Sequence, residues 1–389
     1  MQREIYLDNS ATTPVSAEVA KAMEPYWSVQ YGNPSSPHMR GVAAEKTMNH
    51  CRRTLAELLG VTPQELYFTG SGTEGNNIAI QGVANIPYNR KNPGHIITSA
   101  VEHPAVLHVA RYLATIGWEV TYLPVDSTGR ISPTDLQKAI RPETRLVSIM
   151  LVNNELGAIM PFLEISGIIR EANRERQTPI LFHCDAVQAL GKIPVDLKAI
   201  DCDMASFSAH KINGPKGVGL LYVKRGTGLR PLMYGGGQER GLRPGTENLP
   251  GIVGMTRAVE LALENLQTNA AHMRRLRTRL IEGIRSIPDS AINSPMDGAP
   301  HIVNARFAGI RGEVLVHFLE QKRIYIAMGA ACSSKSKGRS HVLEALGLSS
   351  EEILNSVRLS LSPDQTEEEI DYVIESLAQT VGEIRSIYS

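Results

Sequence analysis

Cysteine is scarce in this 389-residue chain, which has four, and tryptophan scarcer, with two. Cys51, Cys184, Cys202 and Cys332 are too few and too scattered for a disulfide framework or for a zinc site built from closely spaced pairs. There is no excess of either charge: 40 Lys and Arg balance 40 Asp and Glu, so the formal net charge is zero. That balance argues against a nucleic-acid or acidic-membrane surface as the main partner. No apolar run approaches membrane-spanning length. The opening "MQREIYLDNSATTP" has neither an apolar signal core nor an Arg-rich amphipathic pattern, so cytoplasmic localisation is expected. Internal repeats and low-complexity tracts are also missing.

What remains is an ordinary globular composition, 42% hydrophobic and 21% charged, over a length that suggests two domains. Between about residues 50 and 225, short apolar runs alternate with helical patterns. "ELYFTG", "HIITSA", "EVTYLPV", "RLVSIMLV", "PILFHCDA", "MASFSAH" and "GVGLLYV" read as strands, and "LEISGIIREANRER" as one of the intervening helices. Strands joined by helical crossovers imply an α/β fold with a mostly parallel seven-stranded sheet covered on both faces. In such sheets ligands collect at the carboxyl ends of the strands.

After a Gly-rich stretch the pattern changes. Met273, Leu276, Leu280, Ile281 and Ile284 share one face of a long helix. "HIVNARF", "RIYIAMG" and "SVRLSLS" read as strands, with "GEVLVHFLEQ" as a helix. The last helix opens with a Thr366/Glu369 capping box and carries an apolar stripe of Ile370, Val373, Ile374, Leu377, Val381 and Ile384. The expected division is a large domain over 15–260 and a smaller α+β domain from 1–14 and 261–389, which carries Cys332 in a loop at about 328–341.

The residues that follow the strands form a chemical series. "SFSAHKINGPKG" ends a strand in Ser208, His210 and Lys211 and breaks at Gly214-Pro215. A lysine there is ordinarily just solvated, but beside Ser and His at a strand end it suits a Schiff-base lysine near phosphate donors. "FHCDAVQALG" presents Asp185 and then Gln188; Asp185 either caps the next helix or pairs with a protonated ring nitrogen. "FTGSGTEGNNIAI" is a strand, a Gly-rich turn and a helix start, where Gly70, Gly72, Gly75 and Thr73 could wrap a phosphate. Its spacing is neither that of a Walker loop nor that of a dinucleotide fingerprint. His103 in "SAVEHPAV" is either a helix-capping or surface residue or a plane stacked on a flat cofactor. Asn154 in "LVNNELG" could donate to a phenolic oxygen. Together these residues describe a pyridoxal 5'-phosphate site.

The ordered series GSGTE, EH, NNE, DAVQ, SAHK, GGGQERGLRPGTEN and GAACSS resembles the cysteine desulfurases of the class V aminotransferase family, over essentially the whole chain. The resemblance implies a pyridoxal-phosphate fold type I homodimer with active sites at the subunit interface. It implies that Lys211 holds the cofactor, Asp185 pairs with its ring nitrogen, and His103 stacks on the ring and moves protons. Asn154 and Gln188 would contact the phenolic oxygen, and Gly72, Thr73, Ser208 and His210 the phosphate. Thr246 would reach the phosphate of the neighbouring subunit. Arg358 would hold the substrate carboxylate, and Asn33 would line the substrate pocket. The substrate is then L-cysteine, the product L-alanine, and the sulfur passes as a persulfide on Cys332 to an iron–sulfur scaffold or another acceptor protein, for cluster assembly or tRNA thiolation. "GAACSS" is similar to the subtype with an extended mobile loop, although the familiar form has Ser where this chain has Ala330.

The cysteines divide accordingly. Cys184 lies in an apolar strand and reads as core, and Cys51, beside Arg52 and Arg53, as surface. Cys202 sits between Asp201 and Asp203, which should raise its thiol pKa. Cys332 is followed by Lys335, Lys337 and Arg339, which favour the thiolate. No metal ligand is assigned, with Cys332 a candidate iron–sulfur ligand. The competing readings are a selenocysteine lyase, a class V aminotransferase, and a non-catalytic sulfur carrier or scaffold-binding protein.

Overall fold

The computed structural model describes residues 4–328 and 340–388. Thirteen strands occur there in chain order: β1 (Ile5–Tyr6), β2 (Leu66–Thr69), β3 (His95–Ser99), β4 (Glu119–Leu123), β5 (Thr144–Met150), β6 (Leu181–Asp185), β7 (Met204–Ser208), β8 (Gly219–Val223), β9 (Ser290–Ile292), β10 (Ile302–Phe307), β11 (Ile324–Tyr325), β12 (Ala327–Met328) and β13 (Ser356–Ser360). All seven runs expected as strands of the large sheet enter one sheet, in the order β2-β8-β7-β6-β5-β3-β4. Its pairs from β4 through β7 are parallel, and β8 is antiparallel to both of its neighbours.

Alternation along the strands divides the core between the two faces. Ile96, Leu146, Met204 and Leu221 pack with Ile80 and Val83 of the Gly72–Ala84 helix and Val106 and Leu113 of the Pro104–Thr115 helix. Their neighbours Ile97, Val147, Ala205 and Leu220 face the opposite way, toward a core that includes Leu55, Ile165 and Val259. A third cluster, with Leu276, Leu280, Phe307, Leu359 and Leu377, fills the space around the four-stranded sheet β12-β13-β10-β9. There the apolar stripe of the last helix is buried, apart from the half-buried Ile374, and the Thr366/Glu369 capping box forms.

Two local expectations are corrected. "RIYIAMG" is not one strand: β11 pairs with β1 and β12 with β13, so the chain changes sheets at Ile326. Cys51 is not on the surface but 4% exposed, in a buried face that also holds Ala44, Met48, Arg52 and Leu55 of the Met39–Leu58 helix. The neighbouring arginine misleads because Arg52 is itself buried. Its guanidinium grips the Glu239 carboxylate with two bonds, at 2.8 and 2.6 Å, and donates to the Leu66 carbonyl at 2.7 Å. Glu239 also accepts the Phe68 N–H at 2.9 Å, so this pair fastens the Gly-rich segment to the edge strand β2. Glu239 and Arg240 are held there with positive φ, 44° and 56°, a region costly for residues with side chains.

Removing one partner leaves a buried charge unpaired. Arg52→Ala should therefore lower unfolding free energy by about 3–5 kcal/mol in urea titrations, whereas Arg53→Ala, at an exposed position, should stay within about 0.5 kcal/mol.

Candidate active site

β3, β5, β6 and β7 run parallel, and β2 shares their direction because β2 and β7 are both antiparallel to β8. Five carboxyl ends therefore meet along one edge. A cavity of about 260 Å³ lies there, and it gathers Gly72, Thr73, His103, Asn154, Asp185, Gln188, Ser208, His210, Lys211 and Arg358.

One end of the cavity is the start of the Gly72–Ala84 helix, whose N-cap Ser71 accepts the Glu74 N–H at 3.1 Å. Aligned peptide dipoles make such a start attractive to an anion. Its approach to the sheet needs glycine at two places. A Cβ on Gly72 would lie 2.6 Å from Val187 Cγ2, and one on Gly219 would lie 2.6 Å from the Ser71 carbonyl carbon.

Asp185 makes a local turn contact and also lines the cavity. Oδ1 accepts the Val187 N–H at 3.1 Å, a local turn contact, and Oδ2 accepts from Asn76 Nδ2 at 2.7 Å, so the lining carboxylate is held from two sides. His103 is likewise both a cap and a wall. Its Nδ1 accepts the Ala105 N–H at 3.1 Å, which leaves the proton of the neutral ring on Nε2. Burial lowers its pKa, with Lys211, His341 and His108 acting in the same direction and Asp185 opposing them. His210 is pushed down to about 4 by burial, Lys211 and Lys216, so it offers a hydrogen bond rather than a charge.

Lys211 Nζ donates to the carbonyls of Ser10 and Ala11 at 2.6 and 2.7 Å. Gln188 Nε2 donates to the same Ser10 carbonyl at 2.9 Å. The buried Arg358 donates to the Asp8 carboxylate at 2.7 Å and to the Asn154 carbonyl at 2.9 Å, while its Nε has no hydrogen-bond partner among the described residues.

Two expected residues stand apart. Thr246 is exposed and Asn33, also exposed, accepts the Ser35 N–H at 2.9 Å; neither lines the cavity. Cys332 lies outside the described residues. Conversely, Asn76, Asp8 and the Ser10 and Ala11 carbonyls were not assigned from the sequence. Asn76 had a signal, standing one helical turn beyond Gly72 and so on the same face. Backbone carbonyls leave no trace in residue types.

The donor set fits a flat, anionic heteroaromatic: a helix start for a phosphate, a braced carboxylate for a ring nitrogen, an imidazole wall and an amine between them. Fold and site are those of a pyridoxal-phosphate-dependent enzyme of fold type I. The chain belongs to the aminotransferase class-V family, whose profile matches residues 5–373. It is 45% identical over 386 residues to a protein of Methanosarcina thermophila named cysteine desulfurase IscS, covering 99% of this chain and 94% of that one. A solved NifS-like protein superposes with a TM-score of 0.91 at 40% identity, covering 98% of this chain and 100% of that one. A second, titled SspA in complex with cysteine, gives 0.81 at 36% identity over 93% and 100% of the two chains.

Beside His103, the Glu102 carboxyl is fully enclosed. It accepts the Ser99 hydroxyl at 2.6 Å and the Met150 N–H at 2.9 Å through one oxygen, and the other has no partner among the described residues. Burial pushes its pKa up to about 8, with Asp185 adding to the rise. The unfolded chain releases this proton near the ordinary glutamate value and the native state only near 8, so stability falls as pH rises between them. The slope from this group is at most about 1.4 kcal/mol per pH unit. Glu155, pushed up to about 7, contributes the same sign. Glu102→Gln, neutral at every pH, should flatten the loss of stability between pH 5.5 and 7.5 by about 1 kcal/mol per unit, measured by urea unfolding at both pH values.

Proposed function

We propose that this chain is a cysteine desulfurase, which converts L-cysteine to L-alanine and passes the sulfur through Cys332 to an acceptor. The observation that carries this reading is the convergence of Lys211, Asp185, His103, Gln188 and Arg358 on one cavity in a chain whose full-length relative bears that name.

When bound, pyridoxal phosphate supplies an electron-withdrawing ring that draws electron density from the substrate carbons. Lys211 would hold the cofactor and return protons to the substrate. Asp185, braced by Asn76, would keep the ring nitrogen protonated. The Gly72–Thr73 helix start, Ser208 and His210 would hold the phosphate, and Asn154 and Gln188 would donate to the phenolic oxygen. His103, with its ring proton on Nε2, would support the ring and relay a proton. Arg358 takes the substrate carboxylate, for which its fork geometry is suited. The Cys332 thiolate attacks the substrate sulfur: the carbon–sulfur bond breaks, a sulfur–sulfur bond forms, and the carbon keeps the electron pair and takes a proton. No external oxidant is required.

A homodimer is part of the reading, with Thr246 serving the phosphate of the second copy. Trp27, Val29, Tyr31, Met39, Met233 and Tyr234 are exposed, Met39 at 89%. Pro34 and Ser35, between Tyr31 and Met39 in sequence, share a groove with Gly237, Gln238 and Glu247, the last of these next to Thr246. Exposed apolar surface of this kind suits burial against another chain. The compartment is cytoplasmic in this reading; among the described residues no helix is long and apolar enough to cross a membrane. The acceptor is an iron–sulfur scaffold or a tRNA-thiolation carrier.

Mass spectrometry after addition of cysteine should place persulfide on Cys332. Cys332→Ala should keep the cofactor's visible absorbance while persulfide and sulfide release fall to background; label on Cys51 or Cys202, or undiminished sulfide release, would refute the assignment. Arg358→Ala should cost about a hundredfold in kcat/KM for cysteine, the equivalent of roughly 3 kcal/mol for a lost buried ion pair, read from steady-state alanine formation.

A further inference from the structure

Gln188 approaches the cavity from the turn after β6, and a second residue meets its amide on another side. His301, one residue before β10 and 1% exposed, does not line the cavity, yet its Nε2 lies 3.3 Å from Gln188 Oε1. The hydrogen bonds decide which way the amide faces. The Ser10 carbonyl only accepts, so the nitrogen of Gln188 faces Ser10. The amide oxygen therefore faces His301, and His301 Nε2 carries the hydrogen. A flipped amide would set oxygen against a carbonyl oxygen and an NH₂ group against an imidazole N–H, losing both bonds.

The surroundings keep that imidazole neutral. Burial lowers its pKa well below the usual value, and the charged groups facing it act the same way: Lys192 from the turn after β6, Arg277 from the Leu266–Arg285 helix, Arg358 from β13 and Lys211 from the end of β7. Its Nδ1 has no partner among the described residues. A neutral ring with one N–H, spent on Gln188, has one orientation to maintain.

We propose that His301 is a positioning residue that locks the Gln188 amide with its nitrogen toward Ser10 and the cavity, so that the second N–H serves the phenolic oxygen of the cofactor. This rests on the reading of Gln188 as that oxygen's donor. His301 thereby links the four-stranded sheet, through β10, to the electronics of the site on the large sheet.

The test is a pH titration of the visible absorbance of the cofactor-loaded protein. Loss of an N–H donor leaves negative charge on the phenolic oxygen less stabilised. The proton shared by that oxygen and the Lys211 nitrogen is then held to higher pH. In His301→Leu the midpoint should rise by on the order of one pH unit, and in His301→Gln, which keeps a side-chain N–H, by much less. Gln188→Ala, which removes the donor altogether, should shift the midpoint at least as far as His301→Leu, which leaves the Ser10 contact in place, and adding His301→Leu to it should shift it no further. An unchanged midpoint in His301→Leu, or an equal added shift in the Gln188→Ala background, overturns the proposal. Where leucine prevents folding, His301→Asn, polar but too short to reach Gln188, makes the same comparison. A wild-type protein that gains no visible band with pyridoxal phosphate overturns the cofactor reading itself, and that outcome is distinct from a normal band with an unmoved midpoint.

Discussion

The ion pair between Arg358 and Asp8 holds the site together, because three separate parts of the chain meet on one guanidinium. Arg358 comes from the central strand of the small sheet, Asp8 from the N-terminal segment, and the Asn154 carbonyl from the turn after β5. At 2% exposure the cation has given up nearly all its hydration, a loss tolerable only with close partners. The N-terminal segment is pinned again nearby, where Asn9 Nδ2 donates to the Ser360 carbonyl and the Ser10 N–H donates to Ser360 Oγ. With both ends of that stretch fixed, the carbonyls of Ser10 and Ala11 are aimed at Lys211. The position of the amine thus depends on contacts made by a strand of another sheet.

Burial sets the protonation of what surrounds these cations. It opposes protonation of His103, His210 and His301, and Lys211 acts on each in the same sense. Burial acts in reverse on Glu102 and Glu155, keeping their protons on toward neutral pH. The three imidazoles and the Glu102 carboxyl thereby carry little charge at neutral pH, and the charged side chains that line the cavity are Lys211, Arg358 and Asp185. A substrate carboxylate meets a small number of charges at defined places rather than a diffuse field.

The parts legible in the sequence were those governed by periodicity and by position at a strand end. All seven strands of the large sheet were marked by apolar runs, and nine of the ten candidate residues that line the cavity stand at or just after the ends of those strands, the tenth, Arg358, lying within β13 of the smaller sheet. What could not be read depended on partners distant in sequence. Arg52, next to Cys51 on the same buried helix face, meets Glu239 across 187 residues, and no local pattern carries that. Asp8 lies 350 residues from Arg358. The division of "RIYIAMG" between two sheets depends on which edges stand free nearby, a tertiary matter to which strand propensity is blind.

Burial also narrows the choice of thiol. Cys51, Cys184 and Cys202 are all enclosed, and in each the pKa is raised chiefly by desolvation. A nucleophile must be a thiolate and must reach its target, and these three fail on both counts. Cys202 adds the repulsion of Asp203. Cys332, outside the described residues, is followed in sequence by Lys335, Lys337 and Arg339, cations of the kind that favour a thiolate. The enclosure of these three thiols supports the proposal that the sulfur passes through Cys332.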